Sequence, residues 1–204
     1  MSSKKITDLD NKKFVCIVAH QDDETLYCGG LLSIHNPLSI ACVTLPWPGT
    51  PYSVSRTLSF NKVCSHLGAA CEQWGFTDCG TSGEVKIPNG EFEQLVLRIR
   101  KMVDIRRPDF ILTHSDAGEA NRVYPRGHAM HKIVNRAVCA AFQGDVLACA
   151  MGKPMVNYDL DYDRATKQLL FDYYLPEWDP YTYNFDFAMH NERYVWVQRQ
   201  KPMA

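Results

Sequence analysis

The sequence predicts one α/β domain, a mostly parallel sheet with helices on both faces. Three observations carry this expectation. Short apolar runs rich in β-branched residues, typical of strands buried on both sides, recur along the chain. Segments of helical length separate them, the alternation of a parallel sheet crossed over by helices. A chain of 204 residues, 46% apolar and 22% charged, suits one compact core rather than two.

The elements follow in order. "FVCIVA" at 14–19 is the first strand, and a helix over about 24–35 succeeds it. "SIACVTL" at 39–45 is the second strand, followed by a helix over 54–67. "ACEQWGF" at 70–76 is a weaker strand, because charged and polar residues interrupt it. A helix over 91–106 has apolar positions at Phe92, Leu95, Leu97, Ile99, Met102 and Val103, with Asn89 as its expected N-cap and Glu93 in its first turn. "DFILT" at 109–113 reads as a strand and 128–142 as a helix. These core motifs cover 14–142. Residues 143–204 are expected to complete the same domain through a short helix at 164–173, an aromatic and proline-rich stretch, and a strand in "RYVWVQ".

Charge and composition narrow the function classes. A formal charge of −1 and the absence of any long Lys or Arg run argue against nucleic-acid binding and favour a small-molecule ligand. No apolar run is long enough to span a bilayer, and "MSSKKITDLD" lacks a signal-peptide core, so a soluble, cytoplasmic protein is expected. The eight cysteines form no Cys-x-x-Cys pair and read as reduced packing residues. Nothing in the pattern decides whether the chain forms a homo-oligomer.

Two strands end in unusually polar sequence: "VA" gives way to "HQDDE" and "FILT" to "HSDAGE". In open parallel sheets ligands gather outside the carboxyl ends of strands, so both polar ends are expected on one rim. Clustered acids beside a histidine ask for a positive partner, because an unpartnered buried carboxylate is costly. His20 and Asp23 can address one ion across a strand-to-helix turn, and "GHAMH" offers His128 and His131, which share a helix face at that spacing. A catalytic zinc takes three such ligands and keeps an open position. The plainer readings are an aspartate-capped helix start and a polar helix face.

"AHQDDE" followed by "CGG", then "RPDFILTHSDAGE" and "GHAMHKIVNRAV", resembles the PIG-L (LmbE-like) family of zinc-dependent N-deacetylases. "SRTLSFNKVCSHLGA" and "WGFTD" extend the similarity over roughly 14–142. The resemblance implies a Rossmann-like fold and removal of an acetyl group from a small N-acetylated substrate, an N-acetylglucosamine-type sugar or its conjugate. It assigns His20, Asp23 and His131 to zinc, with another divalent ion such as iron(II) as the substitute. Asp22 becomes the general base toward a metal-activated water, and a protonated His128 the group that steadies the oxyanion. An alternative register makes His128 the ligand and leaves His131 facing solvent.

Four further residues are assigned to the substrate side: Arg56 as a gripping cation, Asp78 as a strand-end acid for sugar hydroxyls, Trp47 as an aromatic face and His114 on the rim. Each has a competing account: a solvated helix arginine, a turn residue, a loop packed on the core, and a core histidine bonded to backbone or acting on the metal. Three departures from the family stand out. Gln21 replaces its proline, Ala129 and Met130 replace its Pro-Asp and remove a supporting carboxylate, and "ANRVYPRG" lengthens the rim loop. Two rival functions follow: a same-fold deacylase acting on a non-sugar amide such as a nucleoside or amino compound, and a metal-free sugar- or nucleotide-binding domain.

Overall fold

A computed structural model describes residues 9–45, 49–79, 87–119, 127–149, 163–176 and 194–198. Among these, a six-stranded sheet consists of β1 (Phe14–Val18), β2 (Ser39–Thr44), β3 (Ala70–Phe76), β4 (Phe110–His114), β5 (Asp145–Cys149) and β6 (Tyr194–Gln198). The helices are α1 (Asp23–Leu32), α2 (Pro51–His66), α3 (Glu91–Arg106), α4 (Ala129–Ala141) and α5 (Arg164–Asp172). The spatial order is β3-β2-β1-β4-β5-β6; β1 to β5 run parallel and β6 lies antiparallel on β5.

β1 is buried along its whole length because its side chains alternate between two cores. Phe14, Cys16 and Val18 pack with Leu31, Phe60 and Leu170 of α1, α2 and α5. Val15 and Ile17 face the other way, toward Leu95 and Ile99 of α3 and Met130 and Val134 of α4. The chain leaves β1 toward β2 on one side and later returns to place β4 on the other. That reversal opens a crevice at the carboxyl ends of β1 and β4, where such folds bind ligands.

Local chemistry sets the helix starts. α2 begins at Pro51, earlier than the expected residue 54, because the Thr50 side chain accepts from Ser53 N and proline suits the first helical position. The expected Asn89 cap does not form. Gly90 occupies the cap with φ of 83°, a backbone state that glycine adopts at little cost, while Glu91 folds back to accept from Thr77 N at 3.0 Å and Thr77 Oγ1 at 2.8 Å. β5 was not anticipated: "DVLAC" follows so closely on the apolar end of α4 that its short run merges with the helix pattern. All eight cysteines are free thiols, and five of them are buried. Among the described residues no helix is long and apolar enough to cross a membrane.

At the amino ends of the strands, opposite the crevice, Phe14 stacks on Phe110 at 4.8 Å and Trp196 meets Phe110 edge-on at 5.8 Å. Phe110→Ala is expected to cost about 3–5 kcal/mol in urea denaturation, while the variant, measured where it is folded, keeps the properties of the polar rim.

Candidate metal centre

The end of β1 is pinned before the chain turns. Thr44 Oγ1 donates to the Ala19 carbonyl at 2.8 Å, and Ala19 N donates to His114 Nε2 at 2.9 Å. The next residue, His20, is fixed by its own loop: its backbone N donates to Asp23 Oδ2 at 2.7 Å. The same Asp23 oxygen lies 3.1 Å from His20 Nδ1 and 3.3 Å from His131 Nε2, and those two nitrogens are 3.2 Å apart. The three atoms form a nearly equilateral triangle with contributions from the loop after β1, the first residue of α1 and the first turn of α4.

That triangle fits a small divalent cation. A tetrahedral ion with nitrogen and oxygen ligands at about 2.0–2.1 Å places them about 3.3 Å apart. Each imidazole also meets a carboxylate through its other nitrogen: His20 Nε2 lies 3.2 Å from Asp78 Oδ2, and His131 Nδ1 lies 2.5 Å from Glu119 Oε2. Such pairing fixes ring orientation and tautomer in metal sites. His128 packs edge-on to His20 at 4.6 Å and stacks on His131 at 4.7 Å. One nitrogen each of His20, His128 and His131 also fall within 4.8 Å of one another, as do ligand atoms of Asp23, His114 and His131, so His128 and His114 stand beside the triangle as further donors.

Two glycines let α4 approach the rim. His128 N donates to the Gly118 carbonyl at 2.7 Å, and a Cβ on Gly118 would sit 2.6 Å from the His128 carbonyl. A Cβ on Gly127, at φ of 71°, would collide with the Ala117 carbonyl oxygen. One turn into α4, Asn135 Nδ2 donates to the His114 carbonyl at 2.8 Å and ties the helix to β4.

Asp22 sits beside the triangle without joining it. Its backbone holds φ of 112°, and its side chain makes no helix-cap bond. The carboxylate instead pairs with Arg56 Nη2, which also donates to the Gln21 carbonyl, while Arg56 Nη1 donates to Tyr52 Oη at 2.9 Å. Glu24 lies underneath: its Oε2 accepts from Asp22 N at 3.0 Å, and its Oε1 accepts from Thr25 Oγ1 at 3.0 Å and Tyr174 Oη at 2.7 Å.

Electrostatics at the rim follow from burial and close opposite charge. Burial penalises the Asp23 carboxylate, yet His131, His20 and His114 hold its carboxyl well below the usual range. Burial likewise opposes the Glu119 charge, and His114 and His131 bring its pKa down to about 2. For His20 burial disfavours the imidazolium, but Asp23 and Asp78 raise it to about 9. His128 goes the other way: burial, then repulsion from His131 and His20, lowers it to about 4. These causes favour the neutral imidazole.

The structure brings His20, Asp22, Asp23, His128 and His131 together on one rim. His131 is 3% exposed, so the register that leaves it facing solvent does not hold. Arg56 is 7% exposed and engaged with Asp22 rather than solvated on its helix. His114, expected on the substrate side, is fully buried: Ala19 N–H occupies its Nε2, its Nδ1 lies 3.0 Å from Glu119 Oε2, and its ring stacks on His131 at 3.9 Å. It supports the cluster from beneath and is not placed to meet a substrate. Asp78 reaches His20 and keeps its side chain 34% exposed. Trp47 lies outside the described residues, as do 120–126 of the lengthened loop. Glu119 joins the cluster although the sequence reading assigns it no role; its signal was "HSDAGE" at a strand end.

The fold and this rim define an α/β protein with an imidazole and carboxylate cluster, sized for a divalent cation, at the sheet's switch point. The chain belongs to the PIG-L family: the family model described as GlcNAc-PI de-N-acetylase matches residues 15–142. Solved structures share its fold at low identity. The zinc-inhibited form of teicoplanin deacetylase Orf2 is 15% identical with a TM-score of 0.65, covering 90% of this chain and 97% of that one. The A40926 pseudoaglycone deacetylase Dbv21 is 16% identical with a TM-score of 0.59, covering 94% and 100%. GalB, the 4-carboxy-2-hydroxymuconate hydratase of Pseudomonas putida KT2440, is 16% identical with a TM-score of 0.57, covering 95% and 99%. No curated protein matches the chain in sequence.

Gly127→Ala is expected to displace the start of α4 and with it His128 and His131. The positive φ alone costs about 1–3 kcal/mol, so a lowered melting temperature accompanied by weakened zinc binding in a competition titration is the expected result. An unchanged melting temperature would refute the close approach described for this turn.

Proposed function

We propose that the protein is a metal-dependent amide hydrolase that removes the acetyl group from a small N-acetylated substrate, an N-acetylglucosamine-type sugar or its conjugate. The observation that carries this reading is the triangle of His20 Nδ1, Asp23 Oδ2 and His131 Nε2, with sides of 3.1–3.3 Å, in a member of the PIG-L family. Those three side chains hold the ion, zinc in the first instance and iron(II) as the alternative. When bound, such an ion lowers the pKa of its water to near neutrality and polarises a carbonyl oxygen.

The remaining steps belong to the protein's own groups. Asp22, adjacent to the triangle, takes the proton of the attacking water as general base. Arg56 keeps that carboxylate aimed by pairing with it and with the Gln21 carbonyl. His128, edge-on to His20, offers an N–H to the oxygen that becomes anionic as the amide carbonyl is attacked. Asp22 or His128 hands a proton to the departing amine. Asp78 holds His20 and, being a third exposed, offers its carboxylate to a sugar hydroxyl.

The related folds include both deacetylases and a hydratase, so the fold does not choose the reaction. Acetate release across a panel of N-acetylated amino sugars and non-sugar amides tests the choice and separates the sugar reading from the other-amide reading. Protein that binds no zinc or iron and releases no acetate would leave the metal-free binding domain standing. Asp22→Asn is expected to keep stoichiometric metal and lose roughly 10²–10⁴ in kcat. His131→Ala is expected to lose both metal and turnover. His128→Ala is expected to keep the metal and raise the barrier by ~3 kcal/mol.

A further inference from the structure

We infer that Glu119 is the positioning carboxylate of the metal centre. It holds His131 in the tautomer that turns Nε2 toward the ion, and it supplies the second negative charge that balances a dication. This rests on the metal reading above and deepens it.

"GHAMH" carries no acid of its own beside its histidines. The structure finds one across the turn. Glu119 is 1% exposed, and its backbone, at φ of 51° after Gly118 at 66°, sits in the left-handed region that few side-chain-bearing residues adopt. Its Oε1 accepts from Ser115 N at 2.7 Å and lies 3.7 Å from Cys149 Sγ. Its Oε2 is 2.5 Å from His131 Nδ1 and 3.0 Å from His114 Nδ1.

A neutral imidazole carries one N–H. With that hydrogen on Nδ1 of His131, donated to Glu119, the lone pair lies on Nε2, the atom that faces His20 and Asp23. His114 obeys the same logic from below. Ala19 N–H already fills its Nε2, so its hydrogen belongs on Nδ1, which lies 3.0 Å from the same Glu119 oxygen, outside hydrogen-bond geometry. A turn acid serving Ser115 alone would need one oxygen; the second here is set against two stacked rings. Charge agrees. Asp22 is met by Arg56, and Glu24 by two hydroxyls and a backbone N–H, which leaves Asp23 and Glu119 as the buried carboxylates set against imidazoles and opposite a dication.

Glu119→Gln keeps the shape and the oxygen that serves Ser115 while removing the charge and the acceptor opposite His131. Metal-stripped wild type and variant are titrated with Zn2+ against a chelator, and with Co2+ followed by its visible absorption. The expected result is affinity roughly 10- to 100-fold weaker in the variant, read on protein that circular dichroism shows to be folded. Equal affinity in the two proteins overturns this inference alone. A wild type that binds neither ion overturns the function proposed above and this inference with it. Should the variant fail to fold, nitrogen NMR of zinc-loaded wild type decides: a proton on His131 Nδ1 supports the assignment, and a proton on Nε2 overturns it.

Discussion

Four carboxylates are buried along one edge of the sheet, and their demand for partners organises that edge. Asp22, Asp23, Glu24 and Glu119 are each at most 3% exposed, where an unpartnered charge is expensive. Each is answered differently. Arg56 meets Asp22; three imidazoles surround Asp23; two stack above Glu119. Glu24 is met by hydroxyls and a backbone N–H, and burial pushes its carboxyl up to about 7, with Asp22 adding to the push. The result is a graded set of environments: a charge pinned by a guanidinium, a charge offered to a cation, a charge held beneath imidazoles, and an acid kept close to neutral.

The sheet makes this arrangement affordable. Placing β4 beside β1 brings the ends of two strands, ninety-odd residues apart in sequence, within one hydrogen bond of each other through Ala19 N–H and His114. Thr113 Oγ1 adds a second tie, donating to the Ile17 carbonyl at 2.8 Å. The α4 helix is then fastened to β4 by Asn135 and brought close by Gly118 and Gly127. The triangle therefore hangs on backbone that is paired on both sides, which is how preorganised sites keep their geometry.

Much of this was legible in the sequence, for physical reasons. A strand buried on both faces leaves an unmistakable apolar run, and β1, β2 and β4 were found that way. The rim was legible because charge directly after such a run has no bland explanation, so His20, Asp22 and Asp23 stood out. What escaped had weaker local signals. β5 hid in the apolar tail of α4. Gly90 displaced Asn89 because the chain needed a positive φ there, a requirement that composition does not display. The inward turn of Glu119 depends on a backbone state set by contacts with α4. The burial of Arg56 and His114 depends on partners far away in sequence, so neither could be separated from its competing account by local pattern alone.

The contact between Tyr174 and Glu24 spans 150 positions and lies wholly in the interior. Through it, the stretch that looks most like an appendage is wired to the loop that carries Asp22. Glu24 in turn holds the backbone N–H of Asp22 in its unusual conformation. A change of register in α5 would thus be felt as a change of aim at the Asp22 carboxylate, with His20, Asp23 and His131 still in place.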